Sequence, residues 1–467
     1  MAKLKIKAKD LRRLGLAKGP PSGIALEILR QHHRHTPPAE ALEQLATVMA
    51  RPGTYLEDAV WSRLAQLLHT PVTARPANIE LAERAIPYRS FGGAAIAEGA
   101  HQQMELAMRL PVSTGGALLP DAHRGYGLPI GGVLATENAI IPYAVGLDIG
   151  CRMCLSIFAI SPQSLDEAPK NYQQLLRDHS RFGRTTFADP YEDEVLDRPL
   201  YHQIPLLRQL QGKARQQIGS SGSGNHFVEF GSVEIIEGDP QLGVAPGHYL
   251  GLLSHSGSRG IGAGIAQHYT KIAMQRCPLP TEAKSLAWLD LDSEAGQAYW
   301  LAMNLAGDYA SACHHHIHRR IAGALGENPI GRVENHHNFA WKEKRVDGRE
   351  WIVHRKGATP AGRGVLGVIP GSMTAPGFIV RGRGAAESLA SASHGAGRAM
   401  SRRKAKNTLN RKAVRQQLKK AGVHLIGGGI DEAPQAYKDI HEVMKQQRQL
   451  VEVIGRFQPR IVRMDQG

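Results

Sequence analysis

The sequence predicts an α+β protein with a small helical appendage at its N-terminus, and three observations carry this prediction. From about residue 90 onward, short apolar runs of strand length alternate with glycine-rich turns. Amphipathic helical patterns lie between these runs, so helices and strands are mixed along the chain. The first 85 residues show helical patterns alone. We therefore expect a helical, basic N-terminal appendage over residues 1–85 and a larger mixed domain over residues 86–467.

Composition favours one kind of partner. With 42% hydrophobic residues among 467, the chain is typical of a globular protein. Lysine and arginine number 57 against 42 aspartates and glutamates, which gives a net charge of +15. Such an excess favours a polyanion, with nucleic acid the first candidate, although charge alone also fits a generally basic soluble protein.

Cysteine usage and the lack of export signals predict a cytoplasmic protein with reduced thiols. Four cysteines are too few for a disulfide scaffold in a chain of this length. No apolar run approaches the ~20 residues that a membrane span needs. The N-terminal Met1-Ala2-Lys3-Leu4-Lys5 lacks the apolar segment of a signal peptide. We expect no association with a membrane.

The appendage is predicted from its basic start and its helical periodicity. A basic segment, Lys3–Lys18, precedes Gly19-Pro20-Pro21. Amphipathic patterns over Ala39–Ala50 and Leu56–Leu68 each have Pro or Gly on at least one side, as helices do at their ends.

The remaining elements follow from apolar periodicity. Strand-length apolar runs are predicted at Ile130–Ala135, Ala139–Val145, Met153–Ile160, His226–Glu229, Val233–Ile236 and Tyr249–Ser254, with a strand-rich block over Arg332–Arg381. Helices are predicted at Gly262–Met274, Gln297–Leu325, Ser388–Leu418 (very basic) and Asp431–Val451.

A set of potential metal ligands is the most informative feature of the chain. Asp148 and Cys151 lie three residues apart in the tight turn Gly146-Leu147-Asp148-Ile149-Gly150-Cys151, so both side chains can face one centre. A thiolate, a carboxylate and imidazoles are suitable ligands for borderline divalent metals, and a thiolate can bridge two ions. The sequence therefore predicts a one- or two-metal site. The imidazoles come from four histidines in polar, mostly glycine-rich settings, namely His226, His255, His337 and His394.

Two glycine-rich loops beside these histidines suggest phosphate binding. Gly222-Ser223-Gly224 precedes Asn225 and His226, and Gly257–Gly262 follows His255 and enters a predicted helix. Exposed backbone amides in such loops, and at a helix N-terminus, favour anions. Each loop alone is more often a plain turn.

A further Asp-His pair admits two interpretations. Asp121 and His123 lie two apart at the end of a predicted strand. They could orient a ligand of the site, and a capped turn fits the spacing equally well.

Two features with apparent metal-binding character carry less weight. Cys151 and Cys154 form a Cys-x-x-Cys pair without a second one, and Cys154 would point away from the site on a strand. The histidines His314–His316 and His318 lie within a predicted helix, where consecutive side chains fan out around the axis. We interpret them as a solvated or partly packed helix face.

Eight sequence motifs, in order, resemble the RtcB family of RNA-splicing ligases over roughly residues 90 to 440. They are Pro120-Asp121-Ala122-His123, Gly146–Cys151, Gly222–Phe227, His255–Gly260, His337-Asn338, His354–Thr359, Pro370–Met373 and His394–Arg398.

The resemblance implies a family-specific α+β fold with a central sheet-lined cleft, two Mn²⁺ ions and GTP. By this match Cys151 would bridge the two ions, and the metal shells would be completed by Asp148, His226, His255 and His337. His394 would be the nucleophile that takes GMP from GTP, with Asp121 as a second catalytic residue. The nucleotide would be held by Asn225, Glu229, Ser372, Met373, Gly395, Ala396, Gly397 and Arg398. Where the family has a lysine close to its C-terminus, this chain has Arg463, which would take its place.

The implied activity is GTP- and Mn-dependent RNA ligation through a covalent histidine-GMP intermediate. The substrates would be RNA with a 3′-phosphate or 2′,3′-cyclic phosphate end and RNA with a 5′-hydroxyl end, as in tRNA halves or damaged RNA. Arg402-Arg403-Lys404 is one candidate patch for the RNA backbone. Two alternatives stay open. One is a metal-dependent phosphoesterase or nucleotidyltransferase on the same scaffold with altered nucleotide use. The other is a basic RNA-binding protein with a structural metal.

Overall fold

The computed structural model describes residues 6–16, 20–68, 78–344 and 348–466. The chain divides into two compact units, Met1–Ala77 and Asn78–Gly467. This division falls before the predicted boundary at residue 85, because the backbone directly after Ala77 forms hydrogen bonds within the larger unit. The Ile79 amide donates to the carbonyl of Pro278, and the Ala82 amide to that of Arg109.

The smaller unit contains four α-helices among its described residues, namely Ala8–Arg13, Pro20–His32, Pro38–Ala50 and Ser62–Leu68. They enclose an apolar core that includes Leu11, Leu29, Leu45 and Leu64. The helix predicted from Leu56 begins six residues later, since the Asp58 carboxylate accepts from the amides of Val60 and Trp61 in the turn before it. Part of the basic segment predicted over residues 3–18 lies outside the described residues.

An eight-stranded sheet forms the centre of the larger unit. Its strands, in spatial order, are Leu366–Ile369, Gly377–Gly382, Val451–Met464, Phe227–Ile235, Gly247–Ser256, Arg152–Phe158 and Gly331–His336, with His424–Ile426 beside Val451–Met464. The sheet curls until its first and last strands meet. There the Asn335 side chain donates to the carbonyl of Val368 at 3.3 Å and accepts from its amide at 2.8 Å. The result is a nearly closed barrel.

The larger unit also contains a five-stranded sheet. Its strands, in spatial order, are Arg89–Ser90, Ser113–His123, Ile130–Thr136, Glu350–Lys356 and Asn338–Lys344. Two short pairs, Ala358–Pro360 with Ser391–Ser393 and Ala139–Ile140 with Leu289–Asp290, complete the described strands.

The larger unit also contains eleven α-helices among its described residues. They are Glu98–Met108, Pro142–Val145, Ser164–Glu167, Pro169–His179, Leu200–Gln203, Pro205–Gln217, Arg259–Arg276, Glu294–Leu325, Arg402–Thr408, Arg411–Lys420 and Ile440–Gln446. The longest, Glu294–Leu325, begins where the Ser293 hydroxyl accepts from the Gly296 amide, and it ends at Gly326 with φ of +73°. In the part of the chain that the structure describes, no helix has the length and apolarity to cross a membrane.

The mixture of helix and sheet confirms the predicted class, but three segments differ from their predictions. Ala139–Val145 is only a two-residue strand followed by the helix Pro142–Val145, because proline lacks the amide for a central strand and favours the first turn of a helix. Where one helix was predicted over Ser388–Leu418, the structure has two, Arg402–Thr408 and Arg411–Lys420. Left-handed backbone at Leu389 and Ala390 instead leads into a short strand.

The C-terminal prediction was wrong over most of its length. Asp431–Val451 contains one α-helix, Ile440–Gln446, which begins where the Asp439 side chain accepts from the His441 amide. Val451–Met464 then forms a central strand that the sequence did not indicate. Its alternation is interrupted at Pro459, where the pairing with the neighbouring strand shifts register.

Candidate active site

A cavity of about 340 Å³ opens where the two sheets approach each other. All of its lining residues lie between His123 and Met464, so it belongs to the larger unit. Fourteen of the predicted site residues line it: Asp148, Cys151, Asn225, His226, Glu229, His255, His337, Ser372, Met373, His394, Gly395, Ala396, Gly397 and Arg398. The structure therefore brings together residues that are scattered over most of the chain.

The turn that carries Asp148 and Cys151 is held by close backbone packing. Gly150 has φ of +72°, and a Cβ there would lie 2.8 Å from the Cα of Gly307 on the long helix. The Gly150 amide donates to the carbonyl of Asn338 at 2.8 Å. Glycine is therefore required by conformation and by space, and the turn directs both side chains into the cavity.

The predicted metal ligands form two overlapping groups that share one thiol. Cys151, His255 and His337 offer ligand atoms within 4.8 Å of one another, and so do Asp148, Cys151 and His226. The Cys151 Sγ lies 3.2 Å from Nε2 of His255 and 3.4 Å from Nε2 of His226. A thiolate common to both groups could serve a site for one or for two divalent ions.

The surroundings of these ligands prepare them to bind a cation. The Nδ1 atom of His255 lies 3.1 Å from the Asn225 carbonyl, which can only accept, so Nδ1 carries the proton and Nε2 keeps a free lone pair. Burial lowers the pKa of His255 and of His337 well below the ordinary value, so both imidazoles are neutral at physiological pH.

The pKa values of the two acidic ligand candidates, Cys151 and Asp148, are shifted in opposite directions. Burial, reinforced by the Asp148 carboxylate, raises the pKa of the Cys151 thiol well above its usual range, so the thiolate needs a cation beside it. Burial would also raise the pKa of Asp148, but hydrogen bonds from His226 and Cys151 outweigh it and lower that pKa. The donor set of sulfur, nitrogen and carboxylate oxygen fits a borderline divalent metal ion.

His394 faces the same cavity and is oriented by Asp121. Its Nδ1 lies 2.7 Å from Oδ2 of Asp121, which is fully buried. Because a carboxylate accepts, Nδ1 carries the proton and Nε2 has a free lone pair. The ring centroid of His394 lies 4.8 Å from that of the metal-ligand candidate His337. A ring nitrogen with a lone pair therefore lies beside the candidate metal ligands.

The Asp121 carboxylate does not contact the cavity or His123, contrary to the orienting pair considered from the sequence. His123 lines the cavity and contacts only the backbone carbonyl of Asp121. The position of Asp121 is held by Lys438, whose Nζ donates to the carbonyls of Pro120 and Ala122 at 3.1 and 2.8 Å. The Asp121 carboxylate therefore fixes the orientation of the His394 ring.

The two glycine-rich loops have different surroundings. The loop at residues 222–224 lies beside Arg402, whose guanidinium faces the position of a Gly224 side chain. In the loop after His255 the Ser258 amide donates to Asp148 at 3.1 Å, and a side chain at Gly257 would collide with the same carboxylate. This second loop thus supports a metal-ligand candidate.

Arg463 does not lie at the cavity, contrary to its prediction as a nucleotide contact. It lies on the strand Val451–Met464, where alternate side chains face opposite sides, and its neighbours Val462 and Met464 are the ones that line the cavity. Its guanidinium packs over Phe182 and donates to the carbonyl of Leu176.

Several cavity residues were not predicted as contacts. Lys356 lines it, and burial lowers the pKa of this amine to about 7, while Nζ donates to the carbonyl of Tyr143 at 3.0 Å. Arg402, expected only as part of an RNA-binding patch, lines it beside Glu432 and Tyr437. The motif Arg355-Lys356-Gly357 was a usable signal for Lys356. Glu432 and Tyr437 gave none, since isolated polar residues in a helical pattern are normally solvated.

The histidine-rich helix face, expected to be solvated or partly packed, is packed, and of its four histidines only His315 is substantially exposed. His314, His316 and His318 are each at most 1% exposed. Sheet strands cover one side of the helix Glu294–Leu325, and the segment around Asp193, 2.8 Å from Nε2 of His316, covers another. Cys154 points away from the cavity, as predicted, and towards this helix.

Replacing His314 with alanine should therefore destabilise the protein. The change leaves a cavity and removes the partners of the Ser254 hydroxyl and the Ser256 carbonyl. We expect the free energy of unfolding to fall by about 2–4 kcal/mol in chemical denaturation. The neighbouring His315→Ala, whose side chain is 39% exposed, should cost less than about 1 kcal/mol. Equal effects of the two changes would contradict the buried role of His314.

Comparison with known proteins gives consistent matches. A family model described as tRNA-splicing ligase RtcB matches residues 102–204 and 203–465, a span that contains every cavity-lining residue. The chain is 34% identical over 398 residues to the RNA-splicing ligase RtcB of Escherichia coli (strain K12), covering 78% of this chain and 93% of that protein.

Two further relatives agree. The RNA-splicing ligase RtcB of Mycobacterium bovis is 31% identical over 411 residues, which cover 73% of this chain and 94% of that protein. The tRNA-splicing ligase RtcB of Archaeoglobus fulgidus is 28% identical over 411 residues, with 73% and 85% covered.

Proposed function

This chain belongs to the RtcB family of RNA-splicing ligases and is an RNA ligase, and we propose that it joins an RNA 3′-phosphate or 2′,3′-cyclic phosphate end to a 5′-hydroxyl end with GTP and Mn²⁺. One observation carries the chemical part of the proposal. His394, with its Nδ1 bonded to Asp121, faces a cavity shared with two overlapping groups of metal ligands. A nitrogen nucleophile with a free lone pair and a neighbouring cation site are the components of nucleotidyl transfer.

The residues that would hold two Mn²⁺ ions are Asp148, Cys151, His226, His255 and His337. When bound, the ions would reduce the negative charge on phosphate groups in the cavity and so favour nucleophilic attack on phosphorus. The shared thiol, the neutral imidazoles of His255 and His337, and the ionised Asp148 carboxylate fit this role.

In the first step of the proposal, Nε2 of His394 attacks the α-phosphorus of GTP. The new N–P bond forms as the bond to the β-phosphate oxygen breaks, so pyrophosphate leaves and GMP stays on the histidine. The Asp121 carboxylate stabilises the positive charge that develops on the ring. Glycines 395 and 397 let the backbone approach the phosphate, and Gly397 has φ of +71°.

In the following steps GMP passes to the RNA. An oxygen of the RNA 3′-phosphate attacks the phosphorus on His394 and releases the histidine. The 5′-hydroxyl of the second RNA end then attacks the activated 3′-phosphorus, which forms the phosphodiester and releases GMP. A 2′,3′-cyclic phosphate would first be opened by water to the 3′-phosphate.

Glu229 is the residue that we propose selects guanine. It lies inside the cavity, 3% exposed, on the strand Phe227–Ile235, and burial raises the pKa of its carboxyl well above the usual range. Guanine presents two N–H donors on its base-pairing edge, which an ionised carboxylate accepts together, whereas adenine presents one amino donor beside a ring nitrogen that accepts. The carboxyl is ionised only above its raised pKa, so GTP binding should weaken as the pH falls through that value.

Glu229→Gln should lower the affinity for GTP about 10- to 100-fold, because an amide can place only one acceptor against the two donors. Isothermal titration with GTP and ATP measures this loss, and ATP binding should change little. Glu234→Gln on the same strand is the control, since Glu234 is partly exposed beside Arg456. A variant of Glu229 that keeps wild-type preference for GTP would remove it from base recognition.

The proposed partner is RNA, either tRNA halves or damaged RNA, in the cytoplasm. The net charge of +15 favours a polyanion, and Arg402 lines the cavity with its side chain 45% exposed. The helical unit at the N-terminus is proposed to be an accessory, because all cavity-lining residues lie beyond it.

A second candidate is a metal-dependent phosphoesterase or nucleotidyltransferase with altered nucleotide use. One observation favours it, since Arg463 is directed away from the cavity and cannot replace the C-terminal lysine of the family pattern there. This candidate keeps the metal ligands and does not require a guanine nucleotide.

Intact-protein mass separates the two candidates. Wild-type protein and His394→Ala are incubated with Mn²⁺ and either GTP or ATP, and each mass is recorded. We expect a GMP-sized adduct on the wild type with GTP and no adduct with ATP. The variant should form neither. An AMP-sized adduct would reassign the nucleotide. No adduct together with opening of a cyclic phosphate would favour the phosphoesterase.

A further inference from the structure

A second group of potential metal ligands lies on the side of the eight-stranded sheet away from the cavity. Cys154 and Ser254 are direct neighbours on adjacent strands, so their side chains share one face. The residues next to them in sequence, Met153 and His255, line the cavity on the other face. The second group is therefore separate from the proposed catalytic site and independent of the function proposed above.

Two histidines of the long helix complete this group. His314 and His318 are four residues apart and so lie on one face of the helix Glu294–Leu325. Cys154, His314 and His318 offer ligand atoms within 4.8 Å of one another, and all three are at most 1% exposed. A His-x-x-x-His pair on a helix facing a cysteine is a spacing that zinc sites use.

The tautomer of His314 places a lone pair on its inner nitrogen, where a metal ion could replace the proton of the Ser254 hydroxyl. Its Nε2 lies 3.1 Å from the Ser256 carbonyl, which can only accept, so Nε2 carries the proton. In the neutral ring Nδ1 then has a bare lone pair, and this atom lies 2.6 Å from Oγ of Ser254. Metal-binding histidines are commonly fixed in this way, with the outer nitrogen donating to a carbonyl.

His318 contacts the same hydroxyl as a donor. Ser254 gives its single proton to Nδ1 of His314, so its Oγ accepts from Nε2 of His318 at 2.7 Å, and Nδ1 of His318 accepts from the Ser156 hydroxyl at 2.8 Å. Metal binding at Nε2 would move this ring proton to Nδ1, where the Ser156 hydroxyl can accept it. The inner nitrogens of both rings therefore converge on one hydroxyl. That hydroxyl belongs to the cross-strand neighbour of Cys154, so four donor atoms of three kinds meet in one buried place.

We propose that Cys154, His314, His318 and the Ser254 hydroxyl bind a structural Zn²⁺ ion. A closed set of four donors is typical of structural zinc, in contrast to the open catalytic site. Binding converts the Cys154 thiol to a thiolate and releases its proton to solvent. The ion would connect the long helix to the strand Gly247–Ser256, which carries His255, and to the strand Arg152–Phe158, which directly follows Cys151.

Cobalt substitution in full-length protein tests this site, because thiolate-bound Co²⁺ has a charge-transfer absorption that metal bound only by nitrogen and oxygen lacks. Cys151→Ser first removes the thiolate of the cavity site. We expect this protein, loaded with Co²⁺ and treated with a chelator, to retain one equivalent of metal and the charge-transfer absorption. Zinc-loaded protein should likewise retain one equivalent by elemental analysis.

A second substitution assigns the retained metal. Adding Cys154→Ser to Cys151→Ser should abolish the charge-transfer absorption and the chelator-resistant equivalent. Adding Cys277→Ser instead should change neither the absorption nor the retained metal, since Cys277 is buried and belongs to none of the groups of candidate metal ligands. If the Cys154 variant does not fold, Cys151→Ser/His318→Gln serves in its place, with loss of the retained equivalent as the readout.

Either of two results would contradict the proposed zinc site. Cys151→Ser protein that folds but shows neither absorption nor retained metal would mean that the serines and histidines form a neutral hydrogen-bonded chain only. Absorption that persists in Cys151→Ser/Cys154→Ser would place the ion on another thiol. Neither result bears on adduct formation at His394, so the two proposals can fail separately.

Discussion

Cys151→Ala will abolish RNA ligation and every earlier step that depends on metal. Its Sγ is the one atom common to both groups of cavity ligands, so its loss weakens two proposed metal positions together. Changing a residue that only orients a metal ligand costs about 10- to 100-fold in activity or affinity, and the loss of a shared ligand should exceed this. The rates of adduct formation and of sealing, each measured across a Mn²⁺ titration, give the size of the effect.

The matched control for this variant is Cys277→Ala. Cys277 is also buried and also apolar in its surroundings, but it does not line the cavity. It should cost some stability and leave the Mn²⁺ dependence of both steps unchanged. Near-normal turnover of Cys151→Ala at low Mn²⁺ concentration would overturn the two-metal assignment.

The site was predictable from the sequence largely because its ligands lie in glycine-rich turns with fixed local geometry. Such turns leave few conformations, as at Gly150, where only glycine satisfies both φ and the contact with Gly307. Short motifs therefore specify local structure, and the resemblance to a family supplies the contacts between them. Fourteen predicted residues line one cavity for this reason.

The sequence could not show which side chains pair over long distances. The Asp121 carboxylate contacts His394, 273 positions away, although His123 was its nearest candidate partner in the sequence. Arg463 was expected at the cavity, but the register of its strand turns it towards Phe182. A shift by one residue in a strand reverses the direction of a side chain, and composition carries no information about that shift.

Burial was misjudged where a helix is covered on more than one side. The histidines around His314 break the usual pattern of an amphipathic helix, which favoured a solvated interpretation. The structure surrounds them with partners from distant segments, including Ser254 and Asp193. The strand Val451–Met464 was missed for a related reason, since charged residues such as Arg456 and Arg460 on it find partners elsewhere in the fold.

Asp121→Asn should lower the rate of adduct formation by about 10³- to 10⁴-fold while the protein stays folded and keeps its metals. The carboxylate now fixes the proton of His394 on Nδ1 and leaves Nε2 free to attack. An asparagine can donate its amide to Nδ1, which moves the ring proton to Nε2 and removes the nucleophilic lone pair. Comparable changes of tautomer in Asp-His pairs cost about 10⁴-fold. Single-turnover formation of the GMP adduct measures the loss.

Asp193→Asn is the control that separates tautomer from stability. Asp193 holds the buried His316 through an Asp-His contact of 2.8 Å, close to the 2.7 Å of the Asp121 pair, but neither residue lines the cavity. It should lower stability modestly and leave the adduct rate within about threefold, since this pair does not act on a nucleophile. If Asp121→Asn formed the adduct as fast as this control, the free lone pair on Nε2 could not depend on the Asp121 carboxylate. His394 would then have to be held in its reactive tautomer by another group, and the nearest ring is that of His337.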